Sequence, residues 1–100
     1  MPTYQLSDAA QQDLREIQRY TRETWGVAQA RAYLLELTAA FTKLARRPKL
    51  GRQRTDLDLK LRSYIAGKHL VFFRETASGI EVIRVLHTSM DVPQTLEGKE

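Results

Sequence analysis

Cysteine is absent from this chain of 100 residues, which excludes disulfides, thiolate metal ligands and thiol nucleophiles together. Histidine occurs only at His69 and His87, too few for a structural zinc site. No apolar run approaches the roughly 20 residues needed to cross a bilayer. No basic-then-apolar leader opens the chain, so the expected location is the cytoplasm, with no membrane partner. A phosphate-cradling glycine loop is missing, since Gly51 and Gly67 stand isolated, and so is any Ser/His/Asp signature. Neither a cofactor nor a metal nor a small-molecule ligand is expected. There is no internal repeat and no low-complexity tract.

The length suits one domain able to bury a modest core without staples. We assign residues 1–100 to that single domain, with its core over about 3–96. The net charge of +4 is unevenly spread. From Lys43 to Lys68 there are nine Lys or Arg against two Asp, while the rest of the chain is net acidic. Such a segment suits an anionic partner, nucleic acid or an acidic peptide, or else serves solubility as a solvated loop.

Along the chain, Thr3–Leu6 alternates and reads as a first strand. Ser7 stands where a helix N-cap belongs, with Asp8 in the first turn to suit the dipole. Ala10, Leu14 and Ile17 then give the apolar stripe of a helix over Asp8–Thr24, stopped at Trp25-Gly26. Ala30, Leu34, Leu37, Phe41 and Leu44 form the stripe of a second helix, widened by Tyr33 and Ala40. So short a break folds the two back as a hairpin. Trp25 and Tyr33 read as packing residues of that hairpin rather than ligand contacts. Pro48 and Gly51 end the second helix, and a connection runs to about Leu59.

Three strands follow: Leu61–Ala66, Lys68–Glu75 and Ile80–His87, the last two joined by a turn at Ala77-Ser78-Gly79. In the first of that pair, Leu70, Phe72 and Arg74 share a face opposite His69, Val71 and Phe73. In the second, Val82, Arg84 and Leu86 share a face opposite Ile83, Val85 and His87. Both faces are mostly apolar, so one lies on the helices and the other needs a separate cover. Arg74 and Arg84 cost desolvation energy unless they meet water or a partner. Met90–Leu96 adds a last turn or short helix. The order β-α-α-β-β-β makes an α+β domain, a helix hairpin packed on one face of a small, mainly antiparallel sheet.

The chemistry left is a set of Arg and Lys with histidines at strand ends. It admits two readings. His87 or His69 could act as general base toward an RNA 2′-hydroxyl, with arginines stabilising the phosphorane. The same groups could dock an acidic surface through charge-assisted hydrogen bonds.

Several segments carry a resemblance when taken in order. They are Ala9-x-x-x-Asp13-Leu14-x-x-Ile17-x-x-Tyr20, Trp25-Gly26 with Ala30-x-x-Tyr33, Pro48-x-x-Gly51-Arg52, and Leu61-Arg62-Ser63. The last are Gly67-x-His69-x-Val71-Phe72-Phe73-Arg74 and Ile83-x-Val85-Leu86-His87-x-x-Met90-Asp91. Together they resemble the ParE branch of the ParE/RelE toxins of type II toxin–antitoxin systems, from about Tyr4 to Asp91. The resemblance implies the βααβββ order. It also implies a cognate ParD-like antitoxin partner, whose C-terminal part would wrap the open sheet face, with Leu70, Phe72, Val82 and Leu86 as candidate contacts.

RelE-like relatives cut mRNA in the ribosome with two arginines and a tyrosine, at positions held here by His69, Met90 and about Leu96. Losing all three groups this chain with the ParE type, which resembles a non-enzymatic inhibitor of DNA gyrase. Candidate target contacts are Arg52, Arg54, Arg62, Arg74, Arg84 and Met90. The alternative is an mRNA interferase worked by His87, Arg84 and Arg74, or a degenerate toxin keeping only antitoxin binding.

Overall fold

Strand β1 (Thr3–Leu6) runs into helix α1 (Asp8–Trp25) through Ser7, whose hydroxyl accepts the Ala10 N–H at 3.0 Å. The computed structural model describes residues 1–55 and 60–89. After a one-residue break at Gly26 comes helix α2 (Val27–Arg46), followed by a single 3-10 turn (Pro48–Leu50) that begins at its proline. The remaining elements are strands β2 (Arg52–Gln53), β3 (Arg62–Ala66), β4 (His69–Thr76) and β5 (Gly79–His87).

The five strands form one sheet in the order β1-β5-β4-β3-β2. β1 lies parallel to β5, and every other neighbouring pair is antiparallel. The α+β expectation holds, with one addition. Arg52–Gln53 pairs with Ser63 and Arg62 as a two-residue edge strand. Two residues show no alternation, so periodicity could not find it. At the other edge Gly79, at φ 152°, lets β1 close on β5, because a Cβ there would overlap the Thr3 backbone.

Both helices bury their predicted stripes. Ala10 and Leu14 of α1 and Leu37, Phe41 and Leu44 of α2 meet Val71, Phe73, Ile80, Val82 and Val85 of the sheet. Tyr4 packs edge-on against Phe41, with ring centres 5.3 Å apart. Burying a side chain of this size contributes roughly 1.5–3 kcal/mol, so this layer carries the fold. A smaller cluster on the far side of the sheet joins Phe72 and Leu86 to Leu70 and Leu61.

A β-bulge decides which face each β5 residue takes. Phe72 pairs with Arg84 but Phe73 pairs with Val82, leaving Ile83 as an extra residue. One inserted residue reverses the alternation beyond it. Val82 was expected beside Leu70, Phe72 and Leu86 on the outer face. It lies instead in the helix-side core, fully buried. Helix α1 braces the bulge: the Ser7 hydroxyl donates to Ile83 O at 2.7 Å, and the Val85 N–H donates to Asp13 Oδ2 at 2.9 Å.

Candidate functional site: an aromatic cleft between the helices and the sheet

Helices α1 and α2 diverge from the sheet at the start of β4 and the end of β5, leaving a cleft of about 970 Å³. Its helical walls carry Ile17, Tyr20, Trp25 and Tyr33; its floor carries His69, Arg84 and His87. Trp25 was expected to pack inside the hairpin. It is 68% exposed, and Tyr20 is 65% exposed. As the last residue of α1, Trp25 lies beyond the reach of the core stripe and stands at the rim. Tyr33 is half-buried and does join the core.

The floor is a short polar relay. The Lys68 N–H donates to the Tyr33 hydroxyl at 3.0 Å, and that oxygen lies 2.6 Å from His69 Nδ1. The phenol has one proton for two acceptors, His69 Nδ1 and Ala66 O at 3.4 Å, and donation to the nearer Nδ1 requires the neutral imidazole to carry its proton on Nε2. Burial holds His69 down at about 4, His87 pushes the same way, and Asp13 opposes them more weakly. Burial likewise raises Tyr33, against the lowering effect of the Lys68 N–H. Gly67, at φ 60°, completes the turn, since a Cβ there would come within 2.7 Å of the Tyr33 hydroxyl. His87 meets His69 edge-on at 5.3 Å, and its Nδ1 accepts the Ser89 N–H at 3.2 Å.

Arg84 closes the floor without being free to act. Its Nε and one terminal nitrogen donate to the two oxygens of Asp13 at 2.8 and 3.0 Å. That bond raises the guanidinium pKa further against the effect of burial. Residue type alone does not single out Asp13. Its spacing from Ala10, Leu14 and Ile17 puts a carboxylate beside the buried stripe of α1, and that was the available signal.

The remaining arginine candidates do not converge. Arg74 donates to Glu81 at 2.9 Å. It lies five residues along β4 from His69, the register partner of His87, about 16 Å at strand spacing. Arg62 donates to Gly51 O at 2.9 Å and approaches Glu75 at 3.3 Å. Arg54 donates to Ser63 Oγ at 3.3 Å and stacks over Phe72 at 5.6 Å. Arg52 is exposed on the edge strand. Met90 and the Met90–Leu96 segment lie outside the described residues. His87, Arg84 and Arg74 are therefore not one constellation: one histidine is held by Ser89, and both arginines are held by carboxylates.

Of the outer-face candidates, Phe72 and Leu86 are already buried within the chain, and Leu70 is half-buried. Among the described residues, no group of three His, Asp or Glu side chains is placed to hold a metal ion. No helix among them is long and apolar enough to cross a membrane. The cleft thus offers apolar and aromatic walls over a polar floor whose donors and acceptors are mostly committed, an arrangement for binding an amphipathic segment.

Comparison with known proteins agrees along the whole fold. Residues 4–92 match the family model described as ParE toxin of type II toxin-antitoxin system, parDE. The chain is 45% identical over 94 residues to Toxin ParE1 of Mycobacterium tuberculosis, covering 93% of this chain and 96% of that one. It is 40% identical over 91 residues to Toxin ParE1 of Caulobacter vibrioides, covering 91% and 94%. A solved structure titled "Chromosomal ParDE TA system from P. aeruginosa" shares the fold at a TM-score of 0.74 and 17% identity, covering 87% of this chain and 96% of that one. Matched by that model over residues 4–92, the chain belongs to the ParE toxin family of type II toxin–antitoxin systems.

Proposed function

We propose that this chain is a toxin that inhibits DNA gyrase by binding, without chemistry of its own, and that a ParD-like antitoxin neutralises it. Membership of the ParE family supports the toxin role. The observation that carries the non-enzymatic reading is the state of the two arginines. Arg84 gives Nε and one terminal nitrogen to Asp13, and Arg74 is paired with Glu81 at the far end of the hairpin. Arg74 lies too far from His87 to share a phosphorane with it, and Arg84 would have to serve one while holding Asp13 along one edge. Purified toxin is expected to arrest gyrase supercoiling and to accumulate cleaved-DNA complexes. Normal supercoiling at saturating toxin overturns the reading. Codon-linked mRNA cuts that vanish in His87→Ala would replace it with the interferase, and absence of growth arrest on induction without the antitoxin would leave only a degenerate toxin.

The antitoxin surface follows from exposure. Phe72, Leu86 and Val82 offer little area to a partner, whereas Tyr20 and Trp25 stand open along the cleft. An amphipathic helix or extended segment of the antitoxin, laying apolar side chains between α1 and the β4–β5 end, would cover them. Leu70 extends the same contact toward the outer face. Among target contacts, Arg52 is the exposed candidate, and Arg54, Arg62, Arg74 and Arg84 contribute only where gyrase competes with their present partners.

A further inference from the structure

Five exposed cations of this molecule gather at the C-terminal end of α2 and just beyond it. Between Leu37 and Thr55 the chain has six Lys or Arg and no Asp or Glu. Lys43, Arg46, Arg47, Lys49 and Arg52 are all exposed, and they follow the last turns of α2, the 3-10 turn and the edge strand β2. Among the described residues, none of Arg46, Arg47, Lys49 and Arg52 has an ion-pair partner, whereas Arg62, Arg74 and Arg84 each have one. Lys43 lies 5.5 Å from the centre of the Tyr64 ring. A helix C-terminus favours nearby cations, which accounts for Lys43 and Arg46. It does not account for Arg47, Lys49 and Arg52, which lie beyond the helix.

The partner this surface fits can be narrowed by what accompanies the charge. Protein interfaces gain most of their energy from buried aromatic and arginine anchors set among apolar neighbours. The exposed aromatics here, Tyr20 and Trp25, belong to the cleft. Gln29 of the cleft and Arg46 of the basic end are seventeen residues apart on α2, roughly 25 Å at helical rise. The only large apolar side chain exposed within the basic stretch is Leu50. Cations without exposed aromatic anchors, laid along a helix end and a sheet edge, suit a regular polyanion whose charges repeat along its length.

We propose that Lys43, Arg46, Arg47, Lys49 and Arg52 bind the phosphate backbone of duplex DNA without base specificity, and so anchor the toxin on the DNA that its target holds. The anchoring role rests on the gyrase reading; the duplex binding does not. Each phosphate neutralised contributes about −0.9 to the slope of log affinity against log salt. Five engaged cations give a slope of about −4.5, with micromolar to tenth-millimolar affinity typical of non-specific binding.

The test is fluorescence anisotropy of the full chain with a labelled 20-base-pair duplex between 50 and 200 mM salt. Arg46→Glu with Arg47→Glu is expected to weaken binding at least tenfold and to lower the slope by about 2. The same charge change on α1, Arg15→Glu with Arg19→Glu, is expected to have a much smaller effect. Equal losses from both pairs would mean diffuse net charge and overturn the proposal. So would no binding at 50 mM salt, or a preference for a polyglutamate peptide, which would assign the surface to an acidic protein. If Arg46→Glu with Arg47→Glu does not fold, Lys49→Gln with Arg52→Gln carries the same comparison. Supercoiling assays on the same variants separate the two readings. Gyrase inhibition by the wild type that survives loss of duplex binding overturns the anchor and leaves the gyrase reading standing. Duplex binding with no inhibition by the wild type overturns the gyrase reading, and the anchor with it.

Discussion

Asp13 uses its two carboxylate oxygens to accept three hydrogen bonds, two from Arg84 and one from the Val85 N–H. Truncating it strands a half-buried guanidinium and a backbone donor at once. Asp13→Ala is expected to lower unfolding free energy by about 2–4 kcal/mol, read from urea midpoints. Adding Arg84→Met should recover part of that loss, since it removes the uncompensated charge. No recovery in the double variant would show that the loss lies in the Val85 bond instead. His69 makes a second prediction at this scale. Its pKa is about 4 in the folded protein against an ordinary 6.5, chiefly through burial. Between those values the unfolded chain holds the extra proton, so stability falls as pH drops from about 6.5 to 4 and levels off below. His69→Gln should flatten that part of the stability profile in denaturant titrations, and an unchanged slope would assign it to other groups.

At the scale of elements, Ser7 couples a helix to a bulge. Its hydroxyl oxygen caps α1 through the Ala10 N–H, while its proton goes to Ile83 O. Ser7→Ala loses both bonds and is expected to cost about 1–3 kcal/mol. Ser7→Thr keeps both, and Ser7→Asp keeps only the cap, so melting should rank them Ser, Thr, Asp, Ala. Aspartate matching serine would mean that the Ile83 bond contributes nothing. The helices were legible in the sequence because Leu14 and Leu37 sit in stripes that only a 3.6-residue period explains. β4 was legible through its alternation. β5 was legible as a strand but not in its facing, because a strict period of two was carried across the adjacent apolar pair Val82-Ile83, where the inserted residue reverses it. The cleft was not legible for a related reason. Tyr20 and Trp25 carry the same apolar character whether they fill a core or stand at a rim, and only the divergence of the helices from the sheet distinguishes the two.

For the whole molecule, aromatic surface and cationic surface occupy opposite ends of α2, and each predicts a separate behaviour. Trp25 is the single tryptophan and is mostly solvated. Antitoxin binding in the cleft should shift its emission to shorter wavelength. Trp25→Ala should weaken the complex by roughly 30-fold, the loss of about 2 kcal/mol usual for an aromatic anchor, while leaving the melting temperature of free toxin almost unchanged. An unaltered affinity would move the antitoxin elsewhere.

The parallel pairing of β1 with β5 also has a consequence for biosynthesis. Among the described residues β1 pairs with β5 alone, so the first of these strands has no place in the sheet until the last of them arrives. Leu6 precedes His87 by 81 residues, which at 5–20 residues per second takes roughly 4 to 16 s. Helix α1 shares that wait, since Ile83 and Val85 complete its bonds to the sheet. Until β5 has left the ribosome, a nascent chain therefore carries β1 and α1 without the strand that completes them.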